Sequence, residues 1–170
     1  HKWNDAIADE VERKEDAVDH YEDVLGTYLV KLSAKHLSTD DNRTINTLLH
    51  TIGDFERVSD HAVNLIKTAE EIRDKSIQFS EEALGDLGVL EAAVQDIVNR
   101  TVDAFQKGDV YAAGKIEPLE QVVDGLVREV KTRHIARLQA GVCTIEYGFV
   151  LDDLLTNYER IAAHCSNIAV

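Results

Sequence analysis

The sequence predicts an all-α protein, an elongated antiparallel helical bundle. Three observations predict it. One proline and nine glycines among 170 residues leave few backbone breaks. Apolar residues recur with a period near 3.6 along every long segment, and strand-like alternation is rare. The intervals between segments are short, so neighbouring helices are expected to run antiparallel.

Five helices follow from that reading. The first spans about Trp3 to Lys35, with Ile7, Val11, Val18, Leu25, Leu29 and Leu32 on one face. "HLSTDDNR" interrupts it, and Ser38 suits an N-cap with Asp40 and Asp41 in the next turn. The second helix then runs to about Lys75. In "SIQFSEEALGDL", Ser80 caps the third, which stops at the "KGD" after Gln106. The fourth is expected as one helix from about Val110 to Gln139, kinked where Pro118 removes a backbone donor. Gly141 in "AGVCT" suits the C′ position of its end. The fifth begins near Ile145 and continues to Val170. Residues 1–78 and 79–170 are expected to form two related halves of one compact unit.

Composition narrows the function. Thirty-two acidic against eighteen basic residues give a net charge of −14, which argues against a nucleic-acid partner. No apolar run approaches the ~20 residues that cross a bilayer, and no signal peptide opens the chain. Cys143 and Cys165 form no CxxC pair, so a reduced, cytosolic setting is expected. The chain opens at His1 and contains no methionine, which reads as a fragment of a longer protein.

An internal repeat organises the rest. "DFERVSDHAVNL", residues 54 to 65, aligns with "NYERIAAHCSNI", residues 157 to 168, at an offset of 103. "EDAVD" at Glu15–Asp19 aligns with "EQVVD" at Glu120–Asp124 at an offset of 105. A two-helix unit therefore recurs, the first helix matching the fourth and the second the fifth. The third has no counterpart at the front. That leaves the first half as a hairpin with an exposed apolar face.

The repeat carries acids of the form ExxxD: Glu15/Asp19, Glu56/Asp60, Glu120/Asp124, and Glu159 with Ala163. Residues four apart share a helix face. Acids four apart also occur elsewhere, at Asp5/Asp9 and Glu70/Asp74 among others, so spacing alone selects nothing. Position does. Glu56 lies in the Ile45/Leu49/Ile52/Val63 stripe, and Glu15 and Glu120 are each flanked by valines on their own faces. Two antiparallel helices each offering an ExxxD bring four carboxylates together. That donor set suits hard cations such as Mg, Mn, Fe or Ca, with Zn a further candidate. His61 and His164, five residues beyond the glutamates, point about 140° away on the wheel and are expected on the surface or at a cap. Arg57 and Arg160 read as partners for nearby acids, and Cys165 as a packing residue. No catalytic triad, P-loop or GxGxxG appears. A di-metal oxidase of the helical-bundle kind expects Glu-x-x-His, and no histidine here has an acid three residues before it. The chain is therefore expected not to be an enzyme.

The paired motifs resemble those of the PhoU family, whose members carry "ERIGD"-like segments in two three-helix repeats. "GFVLDDLLTNYERIAAHCSNIAV" resembles in particular the PhoU-type domain at the C-terminus of bacterial sodium/phosphate cotransporters. The resemblance covers about Glu10 to Val170. It implies a cytoplasmic regulator of inorganic phosphate transport, either a transporter tail at the inner membrane or a free-standing negative regulator. It implies metal clusters, of iron or zinc type in the family, at Glu15, Asp19, Glu56 and Asp60 and at Glu120, Asp124 and Glu159. Phosphate at the metal, a phosphate transporter as partner and self-association are further expectations. Ala163 stands where the family pattern has an acid, so the two sites are expected to bind unequally.

Overall fold

Residues 3–169 are described by the computed structural model. The chain forms α1 (Asp5–Ser33), α2 (Thr39–Asp74), α3 (Glu81–Lys107), a single turn α4 (Val110–Ala113), α5 (Ile116–Gln139) and α6 (Ile145–Ile168). Val170, where the last helix was expected to end, lies outside the described residues.

Each start has a local cause. Asn4 accepts the Ala6 N–H, and Ser80 accepts the Ala83 N–H. Ser38 and Asp41 satisfy each other's backbone N–H groups in a capping box. The ends are equally specific. At the end of α5, Gly141 adopts φ +70°, its N–H bonds the Leu138 carbonyl, and Val142 N–H reaches back to Arg137. This is the Schellman arrangement, and Gly108 closes α3 in the same way.

One expectation fails. The segment from Val110 to Gln139 is two helices, not one kinked helix. The break falls at Gly114 and Lys115. Pro118 is the third residue of α5, inside the first turn, where an N–H has no intrahelical acceptor in any case. It therefore opens α5 without bending it.

α6 is the hub of the bundle, packing on α2, α5 and α3. Leu90 and Ile97 of α3, Ile116 and Val123 of α5, and Leu151 and Leu155 of α6 are fully buried there. α1 packs on α2, which bridges it to α6. The missing counterpart of α3 is visible in the burial. Val130 and Leu151, under α3, are 3% and 1% exposed, whereas Leu25 and Leu48, their equivalents in the first half, are 44% and 38% exposed. Tyr21 and Tyr28 stand open beside Leu25.

At the end of α2, Ser76 occupies the C′ position at φ +51°. A side chain in that region costs about 1–2 kcal/mol, and glycine removes the cost at some expense in unfolded-state entropy. Ser76→Gly is therefore expected to stabilise the fold by about 0.5–1 kcal/mol and raise Tm by roughly 2–3 °C. A thermal melt with lower Tm would contradict that end geometry.

Candidate functional site

The acids selected by the repeat lie along the α1–α2 and α5–α6 seams. Glu15, Glu56, Asp60, Glu120, Asp124 and Glu159 are all half-buried, while Asp19 is exposed. Burial and then the charges of Asp16, Asp60 and Asp19 hold the Glu15 carboxyl above the usual carboxylate range. Asp60 belongs to α2, so the two helices do bring their acids within electrostatic reach. Burial first, then the Asp60 charge, also push Glu56 up, against the lowering influence of Arg57. In the second half, burial and the charges of Asp124, Glu117 and Glu159 raise Glu120. Glu120 of α5 and Glu159 of α6 thus also face each other across a seam, though Ala163, not Glu159, stands at the position equivalent to Asp60.

The grouping is looser than the four-carboxylate centre expected from sequence. Among the described residues, no three His, Cys, Asp or Glu side chains converge closely enough to hold a metal ion. Mutual repulsion spreads like-charged chains. Arg57 also sits against the pair, 3.5 Å from Glu56 Oε2 and 3.7 Å from Asp60 Oδ2. The donor chemistry, all carboxylate oxygen on facing helices, nevertheless suits a hard cation. Two acids join the set that spacing did not select. Glu22 of α1 acts on Glu56, and Glu117 of α5 acts on Glu120. Glu22 could have been found as the next residue along the buried face after Glu15 and Val18.

His61 and His164 do not stand on the surface. They point away from the acids, as the wheel requires, and that direction leads into the α2–α6 seam. Their rings stack there with centroids 5.7 Å apart. His164 Nδ1 lies 2.8 Å from Asp54 Oδ1, and His61 Nδ1 lies 2.9 Å from Asn157 Oδ1. Asp54 and Asn157 are the first residues of the two aligned motifs. Each motif's histidine therefore holds the other motif's first residue. Asn167 adds a 3.1 Å bond to the same Asp54 oxygen. The signal was in the repeat itself: an acid or amide seven residues before each histidine, at the same offset. Cys165 is buried in the core, and burial pushes its thiol up to about 11. It packs, as expected.

Two outcomes follow. Asp54→Ala leaves His164 and Asn167 without their acceptor in a half-buried seam, so it is expected to cost about 1–3 kcal/mol; Asp54→Asn, which can still accept, is expected to cost less. Equal melting temperatures for wild type and Asp54→Ala would contradict the contact. The glutamates act in the opposite sense. A carboxyl raised in the folded state contributes stability that is present below its unfolded value and lost as pH rises through its folded value. Glu56→Gln combined with Glu120→Gln is therefore expected to raise Tm by about 1–2 °C at pH 7. The gain is expected to vanish below the ordinary carboxylate value of about 4.3, and the pH dependence of Tm reads it directly.

Comparison with known proteins places this geometry. The PhoU domain matches residues 2–69 and again 89–170. Phosphate-specific transport system accessory protein PhoU homolog 1 of Thermotoga maritima is 24% identical over 126 residues, covering 74% of this chain and 53% of that protein. The PhoU homolog of Clostridium acetobutylicum is 21% identical over 131 residues, covering 76% of this chain and 58% of its own length. The chain thus spans just over half the length of these relatives. The crystal structure of PhoU from Pseudomonas aeruginosa superposes with a TM-score of 0.86 at 21% identity, over 96% of this chain and 78% of that one. That likeness shows the helical-bundle fold.

Proposed function

The chain belongs to the PhoU family, and from that premise we propose that it is an accessory regulator of inorganic phosphate transport rather than an enzyme. Both curated relatives are named as accessory proteins of a phosphate-specific transport system. Those names favour an accessory protein acting on a separate transporter over the tail of a sodium/phosphate cotransporter. Among the described residues, no helix is long and apolar enough to cross a membrane, and a cytoplasmic place beside the transporter suits this role.

The proposed mechanism is conformational. The observation that carries it is the half-buried placement of the repeated acids along both seams, with Glu15 and Asp60, and Glu120 and Glu159, on facing helices within electrostatic reach of each other. A divalent or iron-type cation, Mg, Mn, Fe or Zn, would supply positive charge to these carboxylates and a coordination point for phosphate. Glu15, Glu56 and Asp60, with Asp19 and Glu22 nearby, would hold it in the first half. Glu120, Asp124 and Glu159 would hold it in the second, more weakly because Ala163 contributes no oxygen. Drawing the acids together draws α1 onto α2 and α5 onto α6. The transporter would read that change in helix packing.

Expression in a host lacking its own PhoU-type regulator tests the function. The chain is expected to lower phosphate uptake several-fold in phosphate-rich medium, and the Glu56→Gln/Glu120→Gln variant to do so less. Unchanged uptake with wild-type chain present at normal abundance would sink the regulatory reading. Metal analysis of the purified protein separates the site from the function: bound metal that survives both substitutions means these acids are misassigned.

A further inference from the structure

A second polar cluster lies far from the acidic seams, where the N-terminal ends of α3 and α6 meet the last turns of α5. A partly enclosed cavity of about 30 Å³ sits there, lined by Gln78, Ser80, His134, Arg137, Cys143 and Tyr147 among others. It is roughly twice the ~10–15 Å³ that one water requires. Arg137 is 8% exposed. One of its terminal amino groups donates to Asp86 at 2.9 Å; the other is buried with no hydrogen-bond partner among the described residues. His134 Nε2 is also buried and unpartnered. A buried charged donor without a partner is unfavourable, so the free amino group of Arg137 beside this cavity calls for an acceptor, and the His134 ring lines the same space.

The surroundings point to the sign of that acceptor. Ser80 is the N-cap of α3 and Ala83 its third residue, and both line the cavity. Thr144 opens α6 without any side-chain cap bond, so the first N–H groups of α6 have no side-chain acceptor. Helix N-termini carry partial positive charge. A Cβ at Gly148 would stand 2.8 Å from His134 Nε2, so the imidazole edge lies against the first turns of α6, an approach that glycine permits. Asp86, the nearest carboxylate, already takes one bond from Arg133 at 2.8 Å and one from Arg137. Arg133 also bonds Glu129 at 2.8 Å, so the two arginines face two carboxylates, and the positive potential at the cavity comes from the helix ends and the unpaired amino group of Arg137. Glu81, Glu82 and Glu146 are exposed, in the first turns of α3 and α6. On the remaining side, Cys143 Sγ lies 3.8 Å from His134 Nδ1, and Tyr147 closes the α6 wall.

We propose that this cavity binds a small inorganic anion, held by the free amino group of Arg137 and by the N-terminal end of α6, with the His134 ring beside it. The anion would link α3, α5 and α6 at one end of the bundle, where no other polar contact joins Arg137 to α6 among the described residues. This proposal stands apart from the acidic seams and does not depend on metal there.

Two-dimensional amide NMR of the intact chain, titrated separately with inorganic phosphate, sulfate and chloride at constant ionic strength, tests it. Saturable shifts confined to the Cys143–Gly148 and Ser80–Ala83 amides are expected. Phosphate and sulfate acting without chloride would identify an oxyanion, and chloride acting as well a monatomic or general anion site; either supports the proposal. Arg137→Lys keeps a cation for Asp86 and removes the second amino group, and is expected to weaken binding at least tenfold. His134→Gln, which leaves the ion pair intact, is expected to weaken it severalfold and decides the matter if Arg137→Lys does not fold. Absence of shifts with every anion, as for a cavity that holds only water, would overturn the proposal. So would full affinity in both folded variants.

Discussion

The packing of α6 on three sides, against α2, α5 and α3, is the constraint on which the rest of the structure depends. Its apolar residues fill the core: Val150, Leu151, Leu155, Ile161 and Cys165 are all buried. A helix covered on three sides cannot spare a polar residue without a partner. Asn157 is such a residue, and it finds His61 across the seam and the Asp153 carbonyl along its own helix. Its counterpart Asp54 finds His164 and Asn167. These reciprocal bonds fix the register of α2 on α6. Everything on the far side of α2, α1 included, inherits its position from that register.

The acids then fall where two seams meet water. Glu56 is turned toward α1 because His61 is turned toward α6, five residues on. The same geometry places Glu159 toward α5 because His164 faces α2. Carboxyls held half-buried beside like charges are raised, as Glu15, Glu56 and Glu120 are. Their repulsion works against apolar burial that is thin in the first half, where α1 contributes only Ala8 and Leu29 as buried residues. The second half is better braced, because α3 covers α5 and α6. An electrostatic change at the acids is therefore felt most by α1.

Much of this was legible in the sequence. The five long helices, their N-caps at Ser38 and Ser80, and the C′ glycine at Gly141 follow from local rules that act within one turn. The acids were legible because the repeat shows them twice. What was not legible depends on a neighbour. Pro118 reads as a kink in the sequence because nothing local marks the break at Gly114 and Lys115 that sets the start of α5 two residues before it. His61 and His164 looked solvent-facing because a single wheel does not reveal that α2 and α6 are each covered on more than one side. Arg137 and His134 carry no signal in the sequence because burial at a bundle end depends on three helices at once. Nor does spacing reveal that Arg57 reaches across Glu56 and Asp60, leaving the acids as pairs.

The central claim of the proposed mechanism is that cation binding at the acids tightens α1 on α2 while the α6 core stays as it is. Amide hydrogen exchange at pH 7, with and without manganese, addresses that claim most directly. The account predicts slower exchange along α1 and the adjoining face of α2 when manganese is present. The protection of the Leu151–Leu155 segment of α6, whose leucines are buried, should not change. Equal exchange along α1 in the two conditions, with manganese demonstrably bound, would contradict it.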